Sequence, residues 1–177
     1  MLKVIGVTIT LLLSNLWGVS VLDNEAIKEL NRVTNFNIYV PKAMKSATHY
    51  EIKSPENLAP KIDYILINYF DENNRYVFGI RQLKNNSIVE KELVTIDIKT
   101  GSEKSKIIPY KVQLEPKGER VDINGNTGWY VSYIGKQPTG GILTWIQEDT
   151  YMEIDTSKLD KNSVIEIAKT MEQVNGK

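Results

Sequence analysis

The sequence contains no cysteine and a single histidine, His49, among its 177 residues. The absence of cysteine excludes disulfides, thiolate nucleophiles, iron–sulfur clusters, cysteine-based zinc sites and a lipid anchor attached through cysteine. One histidine excludes the paired-histidine zinc motifs and leaves one residue that could serve as the base of a serine triad. We therefore expect stability to come from the hydrophobic core, with no metal or other cofactor.

An excess of one charge is missing as well, since 22 Lys and Arg residues balance 22 Asp and Glu residues. Proteins that bind phosphate backbones need a basic patch, and this sequence has no basic block. Nucleic acid is therefore not an expected partner. With 41% hydrophobic residues, the chain is long enough for one core of ordinary size, so a single globular domain is the expectation.

One long segment without charge extends from Val4 to Leu22, directly after Lys3. At ~1.5 Å per residue, about 19 helical residues reach ~28 Å, close to the hydrocarbon thickness of a bilayer. This layout is typical of a cleaved signal peptide or of an uncleaved membrane anchor, and Gly18 and Ser20 supply small residues for cleavage. A buried core helix is the third interpretation.

Positive charge precedes this segment and acidic residues follow it, so we expect the rest of the chain to face away from the cytoplasm. We divide the chain into residues 1–22 as signal peptide or membrane anchor, 23–35 as connector helix and 36–177 as an extracytoplasmic α+β domain. Asp23 or Asn24 can cap the connector helix. Its predicted packing face consists of Ala26, Ile27, Leu30 and Val33.

From residue 36 to residue 154 the apolar residues alternate with a period of two, which predicts strands. The predicted strands cover residues 37–40, 48–53, 62–70, 76–83, 93–98, 107–114, 120–123, 129–134, 142–147 and 151–154. Turn chemistry marks three connections, at residues 71–74, 124–126 and 138–141.

Apolar residues recur at helical spacing near the end of the chain, where Asp160 can cap a closing helix that extends to Val174. Its apolar face consists of Leu159, Val164, Ile167, Ala168, Met171 and Val174. The predicted fold class is α+β: a curved antiparallel β-sheet (meander) flanked by an N-terminal and a C-terminal helix.

The predicted hairpin of residues 62–70 and 76–83 is apolar on both faces, and such strands need cover on both sides. We expect one face to line the inside of the curved sheet and the closing helix to cover the other. Gly79 would let that helix or a ligand approach the backbone closely. Should the helix prove peripheral, the second apolar face becomes the leading ligand-site candidate.

Two features invite a catalytic or metal-binding interpretation. His49 lies outside any motif and lacks the strand–turn–helix nucleophile elbow of hydrolases, so we interpret it as structural or solvent-facing. Residues 122–128 place oxygen side chains at alternate positions, as calcium loops do. The twelfth position of such a loop would be Tyr133 where a bidentate Glu is needed, and a hairpin turn explains the same residues.

Four carboxylates, those of Glu148, Asp149, Glu153 and Asp155, lie close together in sequence and could in principle supply an acid and a base. We interpret the first two as a polar turn and the other two as the solvent side of a strand. Residues 139–141 lack the lysine and the helix of a phosphate-binding loop. The sequence therefore predicts no catalytic, cofactor-binding or metal site and leaves the ligand-binding residues open.

Tyrosine (9) and tryptophan (3) together outnumber phenylalanine (3). Rings with a polar tip suit grooves and interfaces, and tyrosine is also a good strand residue. Both interpretations remain open.

Six short segments form a characteristic pattern: 36–41 (FNIYVP), 121–125 (VDING), 128–130 (GWY), 143–148 (LTWIQE), 151–154 (YMEI) and 163–171 (SVIEIAKTM). This pattern resembles a bacterial domain-of-unknown-function family found in secreted and membrane-anchored Gram-positive proteins and as the extracytoplasmic part of some anti-sigma factors. The resemblance implies an α+β fold with a curved antiparallel sheet, and it brings no catalytic residues.

These features predict a non-catalytic binding or sensory module at the bacterial cell surface, with a protein, a peptide or a lipid-like molecule as its ligand. The alternatives are a structural envelope or spore-associated component and a hydrolase with carboxylate chemistry. A cleft that holds two or more carboxylates with raised pKa values would favour the hydrolase, and a dry apolar groove would favour a ligand carrier. A flat polar surface would favour structural assembly.

Overall fold

The computed structural model describes residues 24–42, 47–53, 62, 64–135 and 139–174. The predicted signal peptide or anchor of residues 1–22 and the predicted cap Asp23 lie outside these residues. Within the part of the chain that is described, no helix is long and apolar enough to span a bilayer.

The described residues form two helices and eleven strands. The helices are α1 (Asn24–Val33) and α2 (Lys161–Lys169). The strands are β1 (Tyr39–Pro41), β2 (His49–Lys53), β3 (Tyr64–Phe70), β4 (Tyr76–Lys84), β5 (Ile88–Ile96), β6 (Glu103–Lys111), β7 (Glu119–Ile123), β8 (Asn126–Ser132), β9 (Gly141–Gln147), β10 (Thr150–Thr156) and β11 (Met171–Gln173).

Seven strands form the main sheet in the order β2-β3-β4-β10-β9-β8-β7, and every neighbouring pair is antiparallel. The predicted α+β fold, with an antiparallel sheet and a helix towards each end, is confirmed. The meander is interrupted once, because β4 pairs with β10 rather than with β5. The intervening β5 and β6 form a separate hairpin, and β1 pairs with β11 in a second small sheet.

The core covers one face of the main sheet, which we call the inner face. Cross-strand register places Ile67 beside Ile80, Ile80 beside Ile154, and Ile154 beside Leu143. All four side chains are fully buried. Because side chains alternate along a strand, the residues between them point to the opposite, outer face. The outer face therefore carries a second set of residues that the core does not use.

Helix α2 packs on the inner face, where Val164 and Ala168 join the same core cluster as the sheet residues. Its closest strands are β7 and β9. The prediction that this helix covers the second face of the β3–β4 hairpin is therefore wrong. The helix is amphipathic with one apolar face, and the continuous apolar surface that this face can join lies on the inner side of the sheet.

The closing helix is also shorter than predicted, because it ends at Lys169 and is followed by β11. Met171 and Val174 are buried, as their spacing predicted, but they lie on β11 and on the residue that follows it. The backbone of residues 171–173 pairs with β1. Sheet pairing has thus overridden the helical periodicity of the sequence.

Helix α1 packs through Ile27, as predicted, but Val33 is 39% exposed and the polar Asn31 is fully buried. The Asn31 side-chain amide donates to the carbonyl of Val174 at 2.8 Å and accepts from the Ile38 amide at 3.2 Å. One asparagine therefore joins α1 to the residue before β1 and to the residue after β11. The connector is a packed element of the fold.

A glutamine performs a similar task between the small sheet and the main sheet. Gln82, on β4, is fully buried. Its Oε1 accepts from the Tyr39 amide at 2.7 Å, and its Nε2 donates to the Tyr39 carbonyl at 2.8 Å. The side chain satisfies both backbone groups as a neighbouring strand would.

Candidate functional site

The outer face of β3, β4 and β10 carries side chains that the core cluster does not include. Tyr64 is 37% exposed, and Leu66, Asn68 and Phe70 are partly exposed along β3. On β10 the outward residues include Glu153, which is half-buried. This face therefore combines aromatic, aliphatic and charged groups at partial exposure.

A depression of about 90 Å³ lies at the centre of this face. Its lining consists of Leu66, Asn68, Tyr76, Gly79, Arg81, Glu153 and Asp155. Gly79 forms the floor, because a Cβ atom there would lie 2.9 Å from Tyr76 Oη and 3.0 Å from Asn68 Oδ1. We call this feature the Gly79 depression.

Asp155 lies at one side of the Gly79 depression and is bound by two tyrosines. The Tyr133 hydroxyl donates to its Oδ1 at 2.6 Å, and the Tyr76 hydroxyl donates to its backbone carbonyl at 3.0 Å. Burial, with a contribution from the Asp155 charge, raises the pKa of Tyr76 to about 12. Burial together with the bond to Asp155 also raises the pKa of Tyr133 well above its usual range. Both tyrosines are therefore neutral donors at physiological pH.

Glu153 lies at the other side and has a cationic partner. Arg81 pairs with it at 3.3 Å, and the Tyr151 hydroxyl donates to it at 3.2 Å. Burial and then the Glu153 charge raise the pKa of Tyr151 above its usual range. Among the described residues, no Lys or Arg lies within ion-pair distance of Asp155. One cation against two carboxylates leaves the depression with a local charge of about −1.

The hairpin of β5 and β6 adjoins this face at its base. The charge of Glu153 acts on Tyr110, near the end of β6, and Tyr110 in turn acts on Tyr151. Burial, then Glu115 and Glu153, raises the pKa of the Tyr110 hydroxyl. A fourth tyrosine therefore borders the surface around the depression.

The structure places His49 at the exposed start of β2, and β3 and β4 lie between that strand and the carboxylates of β10. Its ring stacks on Phe70 with centroids 5.3 Å apart, and Nε2 lies 2.8 Å from Asn74 Oδ1 in the β3–β4 turn. These contacts fit the structural interpretation of this histidine.

Residues 122–128 lie in the predicted hairpin, in which Asn124 and Gly125 form the turn between β7 and β8. Asn124 and Gly125 have φ angles of 51° and 86°, the left-handed conformation that a tight hairpin of this kind requires. The Asn124 side chain donates to the Lys169 carbonyl at 2.7 Å, so the turn also binds the last residue of α2. Among the described residues, no group of three or more His, Cys, Asp or Glu could hold a metal ion.

The four predicted carboxylates divide as the sequence indicates. Glu148 and Asp149 form the turn between β9 and β10, and Glu153 and Asp155 lie on the outer side of β10. Of residues 139–141, Gly140 has a φ of 93° and packs against the Thr156 carbonyl. Glycine at this position therefore allows the backbone of residue 140 to lie close to the backbone of Thr156.

A second and larger groove of about 410 Å³ lies between β7 and α2. Its rim carries both charges, including the pair of Lys161 and Glu119 and the partly exposed Ile165. The groove is wide and open, and two ion pairs, Lys161 with Glu119 and Lys169 with Glu166, occupy four of its six charged side chains. It is therefore a weaker candidate for the recognition of a specific ligand than the Gly79 depression.

Sequence reasoning identified Gly79, Glu153 and Asp155 individually but did not bring them together. The signal was present in part, because Tyr151, Glu153 and Asp155 occupy alternate positions of one strand. The missing information was that β10 pairs with β4, although five strands, β5 to β9, lie between them along the chain. That pairing places Gly79 directly beside Asp155.

Fold and site together define a class: an open antiparallel sheet with helices on its inner face and a tyrosine-lined acidic depression on its outer face. No protein-family model, curated protein or solved structure matches the chain. The resemblance to a bacterial domain family therefore stays a prediction.

Proposed function

We propose that this chain is a non-catalytic binding module that receives a basic side chain of a polypeptide partner in the Gly79 depression. The observation that carries this proposal is the Asp155 carboxylate, which accepts from Tyr133 at 2.6 Å and has no cationic partner among the described residues. A half-buried carboxylate in that state favours the arrival of a positive charge.

The lining suits a lysine or arginine head group. Asn68 Oδ1 lies at the floor and can accept a hydrogen bond, the Tyr76 ring lines the depression, and the Tyr133 hydroxyl donates to the carboxylate. Aromatic rings and a carboxylate together attract ammonium and guanidinium groups. Leu66 can pack against the aliphatic stem of such a side chain. The volume of about 90 Å³ accommodates a head group rather than a whole small-molecule ligand.

Fluorescence anisotropy with short labelled peptides tests this proposal. Peptides that carry lysine or arginine at one position should bind the full chain at least about tenfold more tightly than the matched peptide with uncharged norleucine. Asp155→Asn keeps an acceptor for Tyr133 and removes the charge, so it should abolish this preference. Gly79→Ala should weaken binding because its Cβ occupies the floor.

The matched control is Asp149→Asn, which removes a carboxylate from the exposed β9–β10 turn. It should leave the preference unchanged. Equal binding of lysine and norleucine peptides, or a preference that survives Asp155→Asn, would rule out the proposed site.

We further propose that residues 1–22 act as a signal peptide or membrane anchor and place the module outside the cytoplasm. Lys3 before the uncharged segment and the acidic residues after it support this orientation. Alkaline phosphatase fused after Lys177 should be active, because that enzyme requires export. Activity only from a cytoplasm-dependent reporter at the same junction would contradict the proposal.

A further inference from the structure

The β5–β6 hairpin, which we call the arm, pairs with no other strand in the described part of the chain. At the base of the arm, close to the turn after β4, the Val112 amide donates a hydrogen bond to the Ser87 carbonyl at 2.8 Å. Two-stranded hairpins are marginally stable in water unless a face is packed. We therefore expect at least one face of the arm to pack against another surface.

One face of the arm is aliphatic and exposed. Cross-strand register places Ile88, Val94, Ile96 and Ile107 on the same side, since residues that face each other across an antiparallel pair share a face. They are 69%, 50%, 58% and 64% exposed, respectively. We call this side the aliphatic face. Single exposed apolar residues are ordinary, but several on one face of a hairpin are typical of interaction sites.

The opposite side, which we call the basic face, has a different composition. Towards the base, Val89 and Ile108 are half-buried and Tyr110 lies near Glu153 of the main sheet. Towards the tip, Leu93 is 48% exposed and the exposed Lys104 and Lys106 follow each other at alternate positions of β6. In the tip half of the basic face, Leu93 is therefore flanked by the positive charges of Lys104 and Lys106.

Charge separates between the two faces of the arm. The aliphatic face carries Glu90 and Glu103 and one cation, Lys111, at the base, whereas Lys104 and Lys106 both lie on the basic face. An acidic, aliphatic surface and a basic surface with an apolar centre complement each other. Both surfaces belong to the same hairpin and have the same strand spacing.

We infer that the occupant of the aliphatic face is the basic face of the arm of a second copy of this chain. The contact joins two different surfaces, so it is heterologous and repeats into an open row of molecules rather than closing a dimer. Pairing along the free edge of β6 is disfavoured, because Pro109, near the base end of that strand, has no N–H and interrupts the edge. This inference rests on the arm and is independent of the Gly79 depression.

Cysteine cross-linking tests the inference, because the chain has no cysteine of its own. Ser105→Cys places a thiol on the aliphatic face and Thr95→Cys places one on the basic face, and neither removes a charge or an aliphatic side chain. Full-length chains with different tags are co-expressed, treated with a membrane-permeable bismaleimide in intact cells and detected by both tags.

The mixed pair of Ser105→Cys and Thr95→Cys should cross-link at least about fivefold more than either variant with itself. A chain that carries both cysteines should give a ladder of oligomers. Ser132→Cys, at the exposed end of β8, is the control and should give only background. Reversing both charges by Lys104→Glu and Lys106→Glu in the Thr95→Cys chain should reduce the mixed product to background.

Three results would overturn the inference. Preferred self-linking of Ser105→Cys would indicate a symmetric contact, and equal yields that include Ser132→Cys would indicate random collision. A mixed product that persists after charge reversal would show that the faces do not recognise each other. Because Lys104 and Lys106 are exposed, the reversed chain should keep its melting temperature, which verifies that it is folded.

Discussion

Gln82 shows how much of this fold depends on single buried polar groups. Its amide satisfies the Tyr39 N–H and carbonyl, at 2.7 and 2.8 Å, in a position without solvent exposure. Gln82→Ala would leave both backbone groups without their partner and should lower the free energy of unfolding by about 2 to 4 kcal/mol. Urea unfolding measures this loss. Gln113→Ala at an exposed position is the control, and an equal effect of the two would contradict the role of Gln82.

Replacement of tyrosine by phenylalanine should change stability in opposite directions at Tyr69 and at Tyr133. The Tyr69 hydroxyl is buried and has no hydrogen-bond partner in the described part of the chain, and burial raises its pKa. Tyr69→Phe removes this unsatisfied group and keeps the ring stacked on Phe78, so stability should rise by about 1 kcal/mol. Tyr133→Phe loses the bond to Asp155 and should lower stability by about 1 kcal/mol.

Chemical denaturation of both variants measures the two changes. A loss of stability in Tyr69→Phe would indicate that its hydroxyl has a partner after all.

At this scale the sequence predicts some positions and misses others for a definite reason. The left-handed turn at Asn124 and Gly125 depends on neighbouring residues, so local chemistry predicted it. The burial of Asn31 in place of Val33 depends on the Val174 carbonyl, 143 residues away. Helical periodicity favours the apolar residue, whereas a distant backbone group favours the polar one.

Among the elements, α2 is capped as its sequence predicted. Asp160 Oδ1 accepts from the Ser163 amide at 2.8 Å, and that bond lowers the pKa of Asp160 below its ordinary 3.8. A carboxyl whose pKa is lowered in the folded state stabilises it above the unfolded pKa, and this contribution is lost as pH falls below about 4.

Asp160→Asn keeps a capping oxygen that does not titrate. Its melting temperature should therefore fall less than that of the parent between about pH 4 and pH 2. Asp160→Ala should be less stable than the parent at pH 7, because the cap is absent. Circular dichroism melts at several pH values measure both. Parallel curves for the parent and Asp160→Asn would show that this cap does not contribute to acid unfolding.

The end of the chain carries two elements where the sequence predicted one. The periodicity of the final apolar residues correctly identified Val164, Ala168, Met171 and Val174 as buried. It could not show that Met171 lies on a strand and Val174 directly after it, because β1, the partner of that strand, is only 3 residues long and the pairing is non-local. Burial was therefore predictable where the conformation was not.

A chain that ends at Ser157 lacks both α2 and β11. Each large apolar side chain buried by these elements contributes ~1.5 to 3 kcal/mol, so the shortened chain should be strongly destabilised. It should also bind the dye ANS, because the inner face of β7 and β9 is uncovered. A chain that ends at Val174 keeps every described contact and is the control. An unchanged melting temperature for the shorter chain would show that α2 is peripheral.

The whole molecule divides into a closed part and an open part. Residues from both ends, in α1, β1, α2 and β11, cover the inner face of the main sheet. The two proposed interaction surfaces, the Gly79 depression and the arm, lie away from that core. Alternation within strands predicted the existence of two faces, but strand order decided which face is covered. The sequence does not show that β4 and β10 are neighbours, since pairing between strands that lie far apart in the sequence leaves no local pattern.

This division predicts unequal stability across the molecule. The arm is opened by breaking bonds between β5 and β6 alone, because neither strand pairs with the main sheet in the described residues, whereas β10 lies between β4 and β9. Amide hydrogen exchange should therefore be faster at Leu93, in a hydrogen-bonded pair with Lys106, than at Ile154, on the order of a hundredfold or more in dilute protein. If arms stack between copies, raising the protein concentration should slow exchange at Leu93 and leave Ile154 unchanged. Uniform protection in dilute protein would mean that the arm folds as one unit with the sheet.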